Sequence, residues 1–171
     1  MEFTEVIKAR YACRKFGSKE VEPEKLEAIL QAGRLAPTAK NLQEQRIYVI
    51  KSPEYLNKID ALTPCRYSAS VCLVVAYDSR NVYTYPGRSR DSGVEDASIV
   101  ATHMMLAAAN LGVQSCWVNF FNPDDMAAAL GLPEHEKVVM LMPLGYAELP
   151  KGAPAKLHTE RRPLSETITY L

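Results

Sequence analysis

The chain has no surplus of charge: its 171 residues carry 20 Lys and Arg against 20 Asp and Glu, with three His besides. A nucleic-acid binder needs a cationic surface to displace counterions, so the balance argues against that class. Glycine is scarce at eight residues, and no G-x-G-x-x-G, G-x-x-x-x-G-K-[ST] or G-x-S-x-G occurs. The usual phosphate loops and the nucleophile elbow are therefore absent. The four cysteines, Cys13, Cys65, Cys72 and Cys116, form no C-x-x-C pair, and His103, His135 and His158 lack ligands at metal spacing. No metal site is expected. No window approaches the ~18 apolar residues of a membrane span, and MEFTEVIKARYAC has no signal-like apolar run. The expected setting is a reducing cytoplasm, with neither membrane nor nucleic acid as partner.

What is present is ordinary globular material, 47% hydrophobic and 23% charged. A chain of this size buries roughly 70% of its unfolded surface, enough for one core, so residues 1–171 are expected to form a single domain. The charge cancellation is global and not local. Lys8, Arg10, Arg14, Lys15 and Lys19 crowd one end, and Lys151, Lys156, His158, Arg161 and Arg162 crowd the other.

Periodicity predicts a short helix over 2–10 (Phe3, Val6, Ile7) and a second over 23–35, opened by Pro23 and stopped by Pro37. RIYVIKS reads as a strand, and Ser52-Pro53 restart a helix whose apolar face is Leu56, Ile59 and Leu62. SVCLVVAYD at 70–78 is an unbroken apolar run, as in a central strand covered on both faces. Residues 79–92 lack periodicity and form a long loop. The helix over about 94–111 has almost no polar stripe, so it is expected in a core or an interface. Strands follow at 113–120 and 137–146, around a helix from Asn122-Pro123 to Gly131. The order α-α-β-α-β-α-β-α-β predicts an α+β or α/β fold with a small mixed sheet.

Several segments admit two readings. The basic stretch 8–19 is either a solvated helix end favoured by the helix dipole or an anion site, with Arg10 and Arg14 on one side if the chain stays helical or turns. The loop at 36–43 either satisfies its own backbone or offers Thr38, Asn41 and Gln43 to a heteroaromatic edge or polyol. His103 within the apolar helix and Cys116 beside Trp117 read as core residues.

Taken in order, these segments resemble the FMN-dependent nitroreductase family. Arg10-Tyr11-Ala12-Cys13-Arg14-Lys15-Phe16 is similar to its R-R-S-x-R-x-F, and Ala36-Pro37-Thr38-Ala39-Lys40-Asn41-Leu42-Gln43-Glu44-Gln45 to its A-P-S-x-x-N-x-Q-P-W. Asp96 and the helix ending Ala107-Ala108-Ala109-Asn110-Leu111-Gly112 resemble its central helix, and Ser115-Cys116-Trp117-Val118-Asn119 its G-T-C-W-I-G. Leu144-Gly145-Tyr146 and Arg161-Arg162-Pro163-Leu164 resemble its closing motifs. Two departures stand out: Ala12 replaces a Ser that touches phosphate, and Glu44-Gln45 replace Pro-Trp.

The resemblance implies an α+β fold with a small, mainly antiparallel mixed sheet flanked by helices, in an intertwined homodimer with FMN at the interface. Arg10, Tyr11, Ala12 and Arg14, with Arg161 or Arg162, would hold the phosphate. Pro37, Thr38, Ala39, Asn41 and Gln43 would come from the partner subunit, and Val118 and Asn119 would lie against the ring. The implied activity takes a hydride from NADH or NADPH and reduces a small acceptor such as a nitroaromatic or quinone by a ping-pong mechanism. Tyr83, Tyr85 and Arg88 in the 79–92 loop would meet that substrate, and no residue is assigned general acid or base work. Rival readings are a flavin-storing or electron-transfer protein, and a specialised relative performing dehalogenation, enone reduction or flavin fragmentation.

Overall fold

Proline opens three of the helices, where its missing N–H costs nothing. In the computed structural model, which describes residues 1–87 and 89–171, the helices are α1 (Phe3–Ala9), α2 (Pro23–Arg34), α3 (Pro53–Leu62), α4 (Gly93–Asn110) and α5 (Pro123–Leu130). The strands are β1 (Gln45–Ile50), β2 (Val71–Asp78), β3 (Gln114–Ser115) and β4 (Glu136–Gly145). Side chains satisfy two of the proline-led starts: Ser52 Oγ accepts from Tyr55 N–H, and Asn122 Oδ1 accepts from the N–H of Asp124 and Asp125.

The sheet runs β1-β2-β4-β3, each neighbouring pair antiparallel. The central position expected for residues 70–78 is therefore observed. Alternation along β2 divides the interior in two. Val71, Leu73 and Val75 face α2 and α4 together with Ile29, Val100 and Met104. Cys72, Val74 and Ala76 face α3 and α5 with Leu56, Ile59 and Met126. All six of these β2 residues are buried.

Strand β4 serves both cores through a bulge. Val75 pairs with Met140 and Ala76 with Val138, so Val139 is the extra residue. The bulge reverses the side-chain parity, sending Val138 to one core and Met140 to the other.

The strand expected over 113–120 shrinks to Gln114–Ser115, with Val118 and Leu141 meeting further on as an isolated pair. Pro143 is the reason. Cys116 N–H donates to Pro143 C=O at 3.3 Å, so Pro143 turns its backbone toward this strand and has no N–H to return. The parallel component of the sheet is one bridge, Ala12 to Ser115.

Gly93 begins α4 flush against the ring of Tyr77, where a Cβ would overlap Tyr77 Cδ2, Cε2 and Cζ. Gly93→Ala should therefore displace Tyr77 or the helix start and cost about 1–3 kcal/mol. A lower urea midpoint at unchanged m-value is the expected reading.

Candidate functional site

Helix α1 ends at Ala9, and the chain leaves it extended, with Arg10 at φ −66° and ψ 125°. This corrects the expectation that Arg10 and Arg14 meet through a helix or turn. Cys13 N–H donates to Ser115 C=O at 2.9 Å, Phe16 N–H to Tyr67 C=O at 3.0 Å and Gly17 N–H to Tyr146 C=O at 2.8 Å. Strand alternation then puts Arg10, Ala12 and Arg14 on one face and buries Cys13 on the other, and the alternation ends before Phe16, which is buried as well.

The C-terminal segment folds back over that face. Arg10, Ala12, Arg14, Ala155, Leu157, His158 and Arg161 line an open cleft of about 360 Å³. His158 Nε2 lies 3.3 Å from Lys8 C=O, and its ring meets Tyr11 edge-on at 6.1 Å between centroids. Arg161 Nη1 donates to the carbonyls of His158 and Glu160 at 2.6 and 2.7 Å. None of Arg10, Arg14 and Arg161 is paired with a carboxylate among the described residues, whereas Arg162 stands 3.9 Å from Glu166 and lines no part of the cleft. Three guanidinium groups thus converge without countercharge, an arrangement suited to an anion. A larger cavity of about 470 Å³ lies at the outer edge of β1, where Lys51 is the lone cation.

The 36–43 loop lies apart from this cleft. Thr38 Oγ1 accepts from Gln43 N–H at 3.1 Å, Gln43 Nε2 donates to Asn41 C=O at 3.3 Å, and Ala39 N–H donates to Asp96 Oδ1 at 2.9 Å. Lys40, Asn41 and Gln43 all have positive φ, at 52°, 55° and 56°. Three such non-glycine residues make a strained turn, fixed here to the start of α4. Pro37 and Asn41 are exposed.

The 79–92 segment packs beside that loop. As the sequence predicts, it is a long loop, and among its described residues it is pinched by the Thr84–Asp91 bridge and by Tyr85 N–H donating to Arg90 C=O at 3.1 Å. The rings of Tyr83 and Tyr85 stand 5.4 Å apart, Lys40 Nζ lies 5.0 Å from the Tyr83 ring, and the Tyr85 hydroxyl donates to Glu95. Arg88 lies outside the described residues. The candidate residues therefore form two groups: a basic cleft near α1 and the tail, and a wall of two loops at the start of α4.

Val118 and Asn119 follow β3. Val118 is buried and exchanges both backbone hydrogen bonds with Leu141 at 3.0 Å. Asn119 is exposed, yet its side chain is engaged at both ends, accepting from Trp117 Nε1 and donating to Val139 C=O at 2.7 Å. Leu141 turns its N–H and C=O to Val118, so alternation along β4 turns the Val139 carbonyl to the same side. Burial pushes the Cys116 thiol up to about 11 and Cys72 up to about 12, so neither is a ready nucleophile, in line with the core reading of Cys116.

Sequence reasoning did not assign His158, Leu157 and Gly152 to the site. His158 was legible only as one of the tail cations. Gly152 gave no signal, because its role is a close approach: its N–H donates to Glu148 C=O at 2.6 Å, and a Cβ would overlap Lys15 C=O and lie 2.9 Å from Glu148 N. Gly152→Ala should lift the tail from the Arg10–Arg14 strand while sparing the two cores. Proteolysis within 150–162 should accelerate roughly tenfold or more, with little change in the global melting temperature.

With this geometry established, residues 7–66 and 62–146 match the Nitroreductase family. A protein of Archaeoglobus fulgidus, provisionally named an NADH dehydrogenase/NAD(P)H nitroreductase, is 31% identical over 153 residues, covering 85% of each chain. The crystal structure of a nitroreductase family protein from Clostridium difficile 630 superposes with a TM-score of 0.92 at 38% identity, covering 99% of this chain and 98% of that one. A provisionally assigned nitroreductase from Exiguobacterium sibiricum, crystallised in complex with FMN, gives a TM-score of 0.85 at 21% identity over 100% and 98% of the two chains. The motif order, the sheet and these matches agree, and the chain belongs to the nitroreductase family.

Proposed function

We propose that the 171-residue chain is a single FMN-binding domain and works as a homodimeric oxidoreductase. It takes a hydride from NADH or NADPH and reduces a second small molecule, a nitroaromatic, quinone or similar acceptor, in a ping-pong cycle. The observation that carries the reading is the convergence of Arg10, Arg14 and Arg161 on one cleft without a carboxylate partner. A phosphate dianion fits that donor set, because guanidinium forks meet its oxygens in charge-assisted hydrogen bonds. Ala12, between the two arginines on the strand face, keeps the approach to the backbone open, and Tyr11 steadies His158 from behind.

FMN, when bound, supplies the hydride chemistry. The protein binds, orients and shields. Asn119, with its side chain pinned between Trp117 and Val139, presents a rigid polar edge to the ring, and Val118 backs it from the core. Pro37, Thr38, Ala39, Asn41 and Gln43 of a second copy complete the other side, with Tyr83 and Tyr85 facing the acceptor.

The separation of basic cleft and loop wall within one chain supports a dimer. So does the tail, where Leu164 is 73% and Tyr170 94% exposed, as are Val94 and Ile99 in part on α4. Burying such surface on a second copy would contribute about 25 cal/mol per Å². The four unbridged cysteines are consistent with a reducing cytoplasm.

Purified protein should reconstitute with FMN, elute at twice the 19.0 kDa chain mass, and give parallel double-reciprocal lines with NAD(P)H and a quinone. Arg14→Ala and Arg161→Ala should each weaken FMN binding about tenfold or more, since a charged hydrogen bond contributes about 1.5–3 kcal/mol. Unchanged affinity in both variants would refute the phosphate site. A fully loaded protein that oxidises no NAD(P)H with any acceptor would instead be a flavin carrier.

A further inference from the structure

Glu44 stands where the resembled motif has proline, and the proposed cofactor contacts do not use its side chain. We propose that Glu44 is a positioning residue: through Asn81 it ties the segment carrying Tyr83 and Tyr85 to the 36–43 loop and so sets the acceptor range of the site. This inference rests on the oxidoreductase reading.

The backbone of Glu44 is fixed first. Its carbonyl accepts from Asp78 N–H at 2.9 Å, joining the residue before β1 to the last residue of β2. The side chain is then held from both directions. It is only 12% exposed, Oε1 accepts from Asn81 Nδ2 at 2.9 Å, and Oε2 lies 3.4 Å from Arg46 Nη2.

Arg46 also donates to Asp78 Oδ2 at 3.1 Å, and Arg80 grips the same carboxylate at 2.9 and 2.6 Å. This network anchors the chain up to residue 80. Beyond it, Ser79 is tied to His135 C=O, but the next tether toward the 36–43 loop is the Asn81 amide. At its far end the segment is held from α4 by Glu95, which accepts from the Tyr85 hydroxyl. Glu44 thus holds one of the two ends of the stretch that carries the Tyr83–Tyr85 pair. Freeing that end lets the aromatic pair move relative to the 36–43 loop, whose Lys40 Nζ lies 5.0 Å from the Tyr83 ring, and so reshapes the surface an acceptor would meet.

A carboxylate suits this task better than the proline it replaces. It accepts from the amide and from the guanidinium at once, whereas proline offers no side-chain acceptor and no N–H. Gln at the same position would keep an acceptor for Asn81 and lose the charge facing Arg46.

The test uses FMN-loaded full-length protein with a naphthoquinone as the large acceptor and benzoquinone as the small one. Glu44→Ala and Asn81→Ala should each raise KM for the naphthoquinone about tenfold, the scale of one lost charge-assisted hydrogen bond, with a smaller rise for benzoquinone. The maximal rate and FMN affinity should hold within about twofold, and the double variant should be no worse than either single one. Glu44→Gln should recover most of the effect. Trypsin should cut the 79–92 segment faster in both alanine variants.

Unchanged KM for both acceptors in Asn81→Ala overturns the proposal, and that variant decides should Glu44→Ala fail to fold. Loss of FMN affinity in step with KM, or failure of Glu44→Gln to rescue, also overturns it and assigns Glu44 to the charge network alone. Absence of turnover in the unmodified loaded protein refutes the oxidoreductase reading itself, which keeps the two failures distinct.

Discussion

A strand buried on both faces dictates this architecture. The side chains from Val71 to Ala76 are all buried, so helices must cover both sides of the sheet, α2 and α4 on one and α3 and α5 on the other. The helices in turn leave only the ends and edges of the sheet for chemistry. One end receives the Arg10–Gly17 segment, bonded to Ser115, Tyr67 and Tyr146, and the start of α4 receives the two loops. The candidate site is built from what the two-sided core excludes.

Irregularities in the sheet fall where that chemistry is. Pro143 interrupts the β3–β4 ladder after two residues, and beyond it the chain keeps the register through Cys116 on Pro143 and Val118 on Leu141. Past the last of those pairs, the Val139 carbonyl is left to Asn119, whose side chain is engaged at both ends.

Elements marked by local chemistry were legible in the sequence. Pro23, Pro53 and Pro123 each open a helix, and the run from Val71 marks the central strand. The strand over 113–120 was overread because its limit lies in a proline on the partner strand. The geometry of Arg10 and Arg14 was missed for a different reason: a spacing of four returns to the same face in both helix and strand, so the pair alone does not choose between them. Gly152 and His158 were illegible because their contacts join residues far apart in sequence. Arg162 looked equivalent to Arg161 in sequence, yet only Arg161 lines the cleft.

The absence of net charge acquires a local meaning. Three of the 20 acids, Asp78, Glu136 and Glu44, gather in a network at the other end of the sheet around Arg46 and Arg80. Arg80 holds the Asp78 carboxyl well below the usual carboxylate range, so Asp78 stays ionised across ordinary pH. Arg10, Arg14 and Arg161 are left with no such partner. Screening confines charge effects to about 8 Å at physiological salt, so distant acids cannot cancel the field in the cleft even though they cancel its arithmetic. A chain that is neutral as a whole therefore keeps a strongly cationic site, with acids paired to Arg46 and Arg80 far from it.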